Sequence, residues 1–295
     1  MQTTHEVCIY QEKSVTLRNN SNIASMEKRK ILYISQEISP YVAENHGSLR
    51  SRLIPQGVQE QGFEVRTFMP KYGSINERRN QLHEVIRLSG MNIIIDDTDH
   101  PLIIKVATLQ PTRMQVYFID NDDYFSRSPI KELETRTSLG DNDERAIFFV
   151  RGVVETVKKL RWAPEVIHCT GWLSALAPLL LKKNYNDDPA FRDSKVVVTI
   201  TSPDGLLAPL AERFAEKIIT DGISADNIKS IATPPVGFNE LMRIAIDYAD
   251  GVVAGVPDAD PALLDYARSL GRPVLDYHDD PAEAARAYVD FYNSL

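Results

Sequence analysis

Several features are scarce in this chain of 295 residues, and each scarcity excludes a class of protein. The two cysteines, Cys8 and Cys169, lie in no CxxC or Cys/His spacing, which excludes a disulfide framework and a structural zinc site. No two of the six histidines form an i,i+4 metal pair, and we expect no metal site. No apolar run approaches the roughly 18 residues of a membrane span, and no apolar segment typical of a signal peptide lies near the N-terminus.

Concentrated positive charge is also lacking. The formal net charge is −8 and the sequence pI is about 5.3. Proteins that bind phosphate backbones or anionic membranes need a concentrated basic face. The basic runs at 28–30 and 158–161 are short and are typical of the solvated ends of helices and strands. We therefore predict neither a nucleic-acid nor a membrane partner, and a cytoplasmic location.

Hydrophobic patterning is missing from residues 1–26. This segment is polar, rich in Asn, Ser and Thr, and ends in Met26. Such a composition cannot bury enough apolar surface to fold. We predict a disordered leader, or a start assigned too early with Met26 as the true start, and expect the fold in residues 27–295.

Beyond this segment the chain alternates between apolar strands and amphipathic helices. The first strand, Ile31–Ile34, leads into a polar loop and then a helix, which is typical of the first unit of a doubly wound sheet. The pattern predicts an α/β, Rossmann-like fold with a mostly parallel sheet. Further strands are expected at 63–68, 91–95, 102–107, 114–119, 165–169, 195–200, 251–256 and 273–277, and helices at 142–157, 206–219, 239–250, 261–270 and 284–295.

Three segments have simpler interpretations than a site. Asp96–His100 clusters carboxylates with a histidine, but a turn between two strands explains it. The GxxxG at 251–255 is typical of packing in a strand. Segment 203–235 carries several prolines and is predicted to be an irregular insertion, with one helix at Leu206–Ile219. The tail after it is expected to complete the sheet rather than to build a second domain.

The loop after the first strand lacks the residues that grip a phosphate. Such loops need glycines, so that backbone N–H groups can close on the anion, and usually a lysine. Here the loop reads AENHG at 43–47, and no G-x-G-x-x-G follows Ile34. An unrelated dinucleotide-binding Rossmann protein is therefore disfavoured.

Four motifs carry a resemblance to a known family. SQEISPYVAENHGSLRSRLIP at 35–55 resembles the opening motif S-E-x-x-P-x-x-K-T-G-G-L-A-D-V of bacterial glycogen and plant starch synthases, the family-5 glycosyltransferases that use ADP-glucose. Segments 116–127, 141–149 and 163–178 are similar to three later motifs of the family, in the same order. The resemblance covers about 30–201. It implies the N-terminal half of a two-domain GT-B architecture, without the second domain, and an ancestral transfer of glucose from ADP-glucose to the 4-hydroxyl at a glucan end.

Several functional positions of these motifs carry other residues. Ala43 occupies the lysine position, and Leu173 and Thr201 occupy two histidine positions. Leucine and threonine cannot replace imidazole as a polar orienting group. We therefore predict no catalytic residue and no cofactor in this chain alone. The other replaced positions are Glu44, Asn45, His46, Leu49, Thr170 and Gly171.

Two functional hypotheses remain open. The first is a non-catalytic glucan-binding or regulatory protein of glycogen metabolism, and the second is an active glycosyltransferase half that a partner chain with a second domain completes. The ligand is then an α-glucan or ADP-glucose. A sugar site is expected at the carboxyl ends of the strands. In that site Trp172 would face a pyranose ring and Asn142 and His168 would supply hydrogen bonds, unless Trp172 and His168 merely pack at a strand–helix turn. The predicted substrate-binding residues are His46, Gly47, Asn142, His168 and Trp172.

Overall fold

A computed structural model describes residues 28–127, 138–220 and 222–295 of the chain. The leader predicted at 1–26 lies outside the described residues. Within them, the apolar runs form the strands β1 Lys30–Ser35, β2 Glu64–Pro70, β3 His83–Glu84, β4 Met91–Ile95, β5 Thr98–Leu109, β6 Met114–Asp120, β7 Val166–Thr170, β8 Lys195–Ile200, β9 Gly251–Ala254 and β10 Val274–Leu275.

The strands form one mixed sheet in the order β10-β9-β8-β7-β1-β2-β6-β5-β3, with β4 also paired to β5. Neighbours from β10 to β6 run parallel, whereas β5 is antiparallel to β6, β3 and β4. The mostly parallel sheet confirms the predicted α/β class. The chain moves outward from β1 through β2 to β6 and then returns to the other side of β1 with β7, so the switch point lies between β1 and β7.

Helices cover the sheet, and their ends follow from local sequence. Asn45 caps the first helix in a capping box with Ser48. Asp260 and Asp280 cap the last two, each followed by a proline at the first helical position. No helix in the described ranges is long and apolar enough to cross a membrane. The helices are α1 His46–Glu60, α2 Asp122–Phe125, α3 Asn142–Leu160, α4 Ala177–Lys183, α5 Phe214–Ile218, α6 Phe238–Tyr248, α7 Pro261–Ser269 and α8 Pro281–Ser294.

Two predicted elements differ in the structure. The helix predicted at Leu206–Ile219 is reduced to α5, because Pro209 lacks an N–H and disfavours helical backbone in the residue before it. The turn predicted at Asp96–His100 is confined to Asp96 and Asp97, which both have positive φ, and the next three residues belong to β5. Antiparallel pairing of β4 with β5 requires such a tight connection.

The last helix packs closely on the first. A Cβ added at Gly57 of α1 would lie 2.7 Å from the Cβ of Ala285 in α8, so the two backbones approach at a glycine. Tyr288 and Tyr292 of α8 are buried and reach the side chains at the centre of the sheet. The tail thereby forms part of the structure around the switch point.

Candidate functional site

A cavity of about 380 Å³ lies at the carboxyl ends of β1, β7, β8 and β9. Its walls come from the loop after β1, the first turns of α1, the ends of β7 and β8, the loop after β9, and Tyr288 of α8. The cavity therefore sits at the switch point, where ligands of doubly wound sheets bind. Its volume is at the lower end of the roughly 300–1,000 Å³ of small-molecule sites.

A carboxylate lies against the first turn of α1. The Asn45 side-chain amide donates a hydrogen bond to Glu37 Oε2 at 3.0 Å. The other oxygen, Oε1, is 2.5 Å from where a Cβ on Gly47 would be, so only glycine leaves room for the carboxylate. The first turn of α1 contains no acidic residue of its own. The negative partner of this helix end is therefore Glu37, which occupies the region where a phosphate-binding loop would hold its anion.

His46 and Arg50 connect α1 to the tail. The Tyr277 hydroxyl donates to Asp279 Oδ1 at 3.0 Å, so it accepts a hydrogen bond from His46 Nε2 at 3.0 Å. Arg50 stacks 4.8 Å from the centre of the Tyr277 ring and donates to the Asp279 carbonyl. Burial, with a contribution from Arg50, lowers the pKa of His46 below its usual value. His46 is consequently neutral at pH 7.

The floor of the cavity is a buried cluster around His168. Its Nδ1 bonds to the Tyr292 hydroxyl at 2.6 Å and its Nε2 to the Thr199 hydroxyl. Tyr292 also bonds to the Tyr33 hydroxyl at 2.9 Å, and Tyr288 stacks on the imidazole at a centroid distance of 5.1 Å. Burial lowers the pKa of His168 to about 3. This imidazole is neutral, and both of its nitrogens already have protein partners.

Two hydroxyl groups on the cavity wall lack a protein partner. Ser35, at the end of β1, is 1% exposed, and Ser51, in α1, is 7% exposed. Among the described residues, none forms a hydrogen bond with either hydroxyl. Neither hydroxyl oxygen is among the fully buried side-chain atoms without a partner, so both reach the open cavity and are available to a ligand.

The charged groups on the wall leave the cavity slightly negative. Glu37 and Asp258 contribute two carboxylates and Arg50 contributes one guanidinium. Both histidines on the wall are neutral at pH 7, because burial lowers their pKa values. Two negative charges and one positive charge give a formal charge of −1.

The structure brings three of the five predicted site residues to this cavity. His46, Gly47 and His168 line it, whereas Asn142 and Trp172 do not. Asn142 is buried in the first turn of α3, where its Oδ1 accepts a hydrogen bond from Arg145 at 2.8 Å. We expected Asn142 in the site because ligands of parallel sheets bind at the carboxyl ends of the strands, but the structure places this residue outside the cavity.

Trp172 lies beneath the cavity rather than on its wall. The residue is 1% exposed in a short 3-10 helix, Trp172–Ser174, and its backbone N–H donates to Gln36 Oε1 at 3.1 Å. A Cβ added at Gly205, which does line the cavity, would be 2.9 Å from the indole ring. The indole thus supports the wall from behind and offers no face to a sugar in this arrangement.

The structure shows where the residues lie that replace functional positions of the family motifs. Gly171 has a φ of +88°, and a Cβ there would lie 2.6 Å from the Cβ of Gln36, so the Gln36 side chain fills the space of the absent aspartate. Leu173 is completely buried, while Thr170 and Thr201 line the cavity. Neither Leu173 nor the two threonines can supply an imidazole.

Sequence reasoning missed the wall residues that come from the tail and the two serines. Ser35 follows the first strand directly, and its position at a carboxyl end could have identified it. Asp258 and Tyr288 carry no comparable signal, because only the docking of the loop after β9 and of α8 brings them to the wall.

Comparisons with known proteins agree with this architecture. Residues 30–254 match a family described as the starch synthase catalytic domain. Glycogen synthases from Chlorobium limicola and Chlorobium luteolum are 35% and 40% identical to the chain over 238 residues, which is 78% of this chain and 48% of each relative. The chain thus spans about half the length of these curated relatives.

A solved structure shares the fold. The catalytic domain of starch synthase IV from Arabidopsis thaliana, bound to ADP and acarbose, superposes with a TM-score of 0.66 at 16% identity, covering 84% of this chain and 51% of that one. The family match includes β1 to β9 and the wall of the cavity up to Ala254, whereas Gly255, Asp258 and Tyr288 lie beyond it. This chain belongs to the starch synthase catalytic-domain family of glycosyltransferases.

Proposed function

We propose that this chain is a non-catalytic member of the family that binds the end of an α-1,4-glucan in the switch-point cavity, as a glucan-binding or regulatory subunit of glycogen metabolism. The observation that carries the proposal is the pair of cavity-wall serines, Ser35 and Ser51, whose hydroxyls reach the open cavity and have no hydrogen-bond partner among the described residues. A ligand rich in hydroxyl groups matches these two serines, because each sugar hydroxyl can both donate and accept, and one such hydrogen bond contributes about 0.5–1.5 kcal/mol.

The charge of the cavity favours a neutral sugar over a nucleotide sugar. A diphosphate would enter a cavity of formal charge −1, and it would meet the Glu37 carboxylate at the helix end that normally holds an anion. Arg50 is directed toward Tyr277 and Asp279. A good phosphate contact is worth about 1.5–3 kcal/mol. Arg50 is the one cation on the described wall, and its guanidinium already donates to the Asp279 carbonyl. ADP-glucose should therefore bind weakly or not at all.

The arrangement of His168 argues against catalysis at this site. A general acid or base is most effective when its pKa lies near the working pH. Burial lowers the pKa of His168 to about 3, and its nitrogens bond to Tyr292 and Thr199. The remaining polar side chains at the ends of β7 and β8 are hydroxyls, which do not titrate near neutrality.

One observation supports a second candidate function. Residues 30–254 match the starch synthase catalytic-domain family and the chain is 35–40% identical to glycogen synthases, which supports an active glycosyltransferase half that a partner chain completes. In that case the partner would have to supply the cationic groups for the diphosphate. Incubation of the chain with ADP-glucose and a glucan would then yield no transfer alone and measurable transfer with the partner.

Calorimetry with maltotriose and with ADP-glucose, on wild type and two serine variants, tests the proposal. Ser35→Ala removes a cavity hydroxyl that has no protein partner, so it should leave stability unchanged and weaken maltotriose binding about fivefold. Ser126→Ala is the control, because the Ser126 hydroxyl has no partner either but lies outside the cavity. The proposal fails if maltotriose gives no saturable heat, or if ADP-glucose binds with a micromolar dissociation constant.

A further inference from the structure

We propose that the same cavity also binds an amino sugar, a hexose in which an ammonium group replaces one hydroxyl, and that Glu37 recognises the ammonium group. The inference uses the cavity of the proposed function but goes beyond it, because α-1,4-glucans are neutral. It rests on four properties of the wall: an unpaired carboxylate, a cation that is engaged elsewhere, a negative formal charge, and buried hydroxyls without partners.

Glu37 has no ion-pair partner within the described parts of the chain. One oxygen accepts the Asn45 side-chain amide at 3.0 Å, and the other lies against Gly47 at the edge of the cavity. A carboxylate can accept about four hydrogen bonds. Glu37 therefore retains acceptor capacity toward a ligand that donates.

The end of α1 offsets only part of the charge on Glu37. The N-terminus of a helix acts as roughly half of a positive elementary charge. A compact ammonium group, with three hydrogen-bond donors, would neutralise the remaining negative charge well.

Arg50 does not neutralise the cavity. Its guanidinium donates to the Asp279 carbonyl at 3.2 Å and stacks on Tyr277, on the side of the tail. Asp258, exposed on the opposite loop, adds a second carboxylate to the wall. With Glu37, Asp258 and Arg50 counted, the wall keeps a formal charge of −1, which attracts a monovalent cation.

Groups other than Glu37 would recognise the sugar ring. Ser35 and Ser51 are more than nine-tenths buried, lack protein partners and line the cavity, so they are available to ring hydroxyls. A simple metal ion would leave these hydroxyls unsatisfied. Moreover, no group of three metal-ligating side chains occurs among the residues that the structure describes. A hexose with one ammonium group fits both the carboxylate and the hydroxyls.

Calorimetry with glucosamine, glucose and N-acetylglucosamine tests the inference. These sugars share the ring and differ at one substituent, which is an ammonium, a hydroxyl or a neutral amide. Wild type should bind glucosamine about tenfold more tightly than the two neutral sugars, as expected for one charge-assisted hydrogen bond. Glu37→Gln keeps the shape and removes the charge, so it should abolish this preference.

Glu283→Gln is the matched control. Glu283 lies in the first turn of α8, at a helix N-terminus like the one that Glu37 lies against, but outside the cavity, and this variant should keep the tenfold preference. The inference is wrong if wild type does not prefer glucosamine, or if Glu37→Gln retains the preference. Thermal melting of each variant shows whether it is folded.

Maltotriose, measured on the same samples, separates this inference from the proposed function. Binding of maltotriose without a preference for glucosamine would overturn the inference alone. Binding of glucosamine without binding of maltotriose would overturn the glucan proposal alone. Absence of both would overturn both.

Discussion

Tyr292→Phe should strongly destabilise the protein, because the Tyr292 hydroxyl holds the buried cluster together. It bonds to His168 Nδ1 at 2.6 Å and to the Tyr33 hydroxyl at 2.9 Å. All three side chains are at most 3% exposed, so water cannot replace the lost partner. The substitution leaves two buried polar atoms unsatisfied, and each costs about 1–3 kcal/mol. We expect the free energy of unfolding to fall by about 2–6 kcal/mol in total.

Urea unfolding, followed by circular dichroism and tryptophan fluorescence, measures this change. Tyr277→Phe is the control, because the Tyr277 hydroxyl also makes two hydrogen bonds but is part of a partly exposed side chain. Water can replace those partners, and its cost should stay below about 1 kcal/mol. Equal costs for the two variants would refute the view that burial of the His168 cluster determines the effect.

Two further predictions concern the same region. As the pH falls from 6.5 to 5, the unfolded chain gains protons on His168 while the folded chain, with a pKa of about 3, does not, so urea unfolding should show a loss of about 1.6 kcal/mol. NMR should show His168 still neutral at pH 5, and a protonated ring there would contradict the prediction. Gly57→Ala should lower the free energy of unfolding. Alanine is more favourable than glycine in a helix by about 1 kcal/mol. The new methyl, however, would lie 2.7 Å from the Cβ of Ala285, and overpacking costs about 1–3 kcal/mol. The double variant with Ala285→Gly should recover the loss, and Gly140→Ala, where no atom lies within 4 Å, is the control.

The sheet could be predicted because its central strands are buried on both faces. The segment predicted at 195–200 is β8 without a shift, since such strands consist of continuous β-branched runs that polar loops interrupt. The helix predicted from Leu206 begins only at Phe214, because amphipathic spacing was given more weight than Pro209. Hydrophobic periodicity identifies the buried face of a helix, whereas a proline, which lacks a backbone N–H, limits where that helix can begin.

The site could be predicted only in part, for a different physical reason. Residues close to strand ends, such as His46 and His168, reach the cavity because the topology places them there. Two other predicted residues are held away from the cavity by their own contacts. Asn142 bonds to Arg145, and Trp172 packs beneath Gly205. The contacts of His168 with Tyr292 join residues 124 positions apart, and no local pattern contains that pairing.

The wall formed by α8 has a consequence for the order of folding. The hydrogen bond between the Tyr33 and Tyr292 hydroxyls joins residues 259 positions apart, so this contact closes a very long loop. Contacts of large sequence separation form late, since the entropy of loop closure opposes them until other structure exists. The sheet around β1 and β7 can therefore assemble before any pocket is present. A ligand of this cavity would bind the finished fold and neither the unfolded chain nor early intermediates, and would raise the melting temperature in proportion to its affinity and concentration.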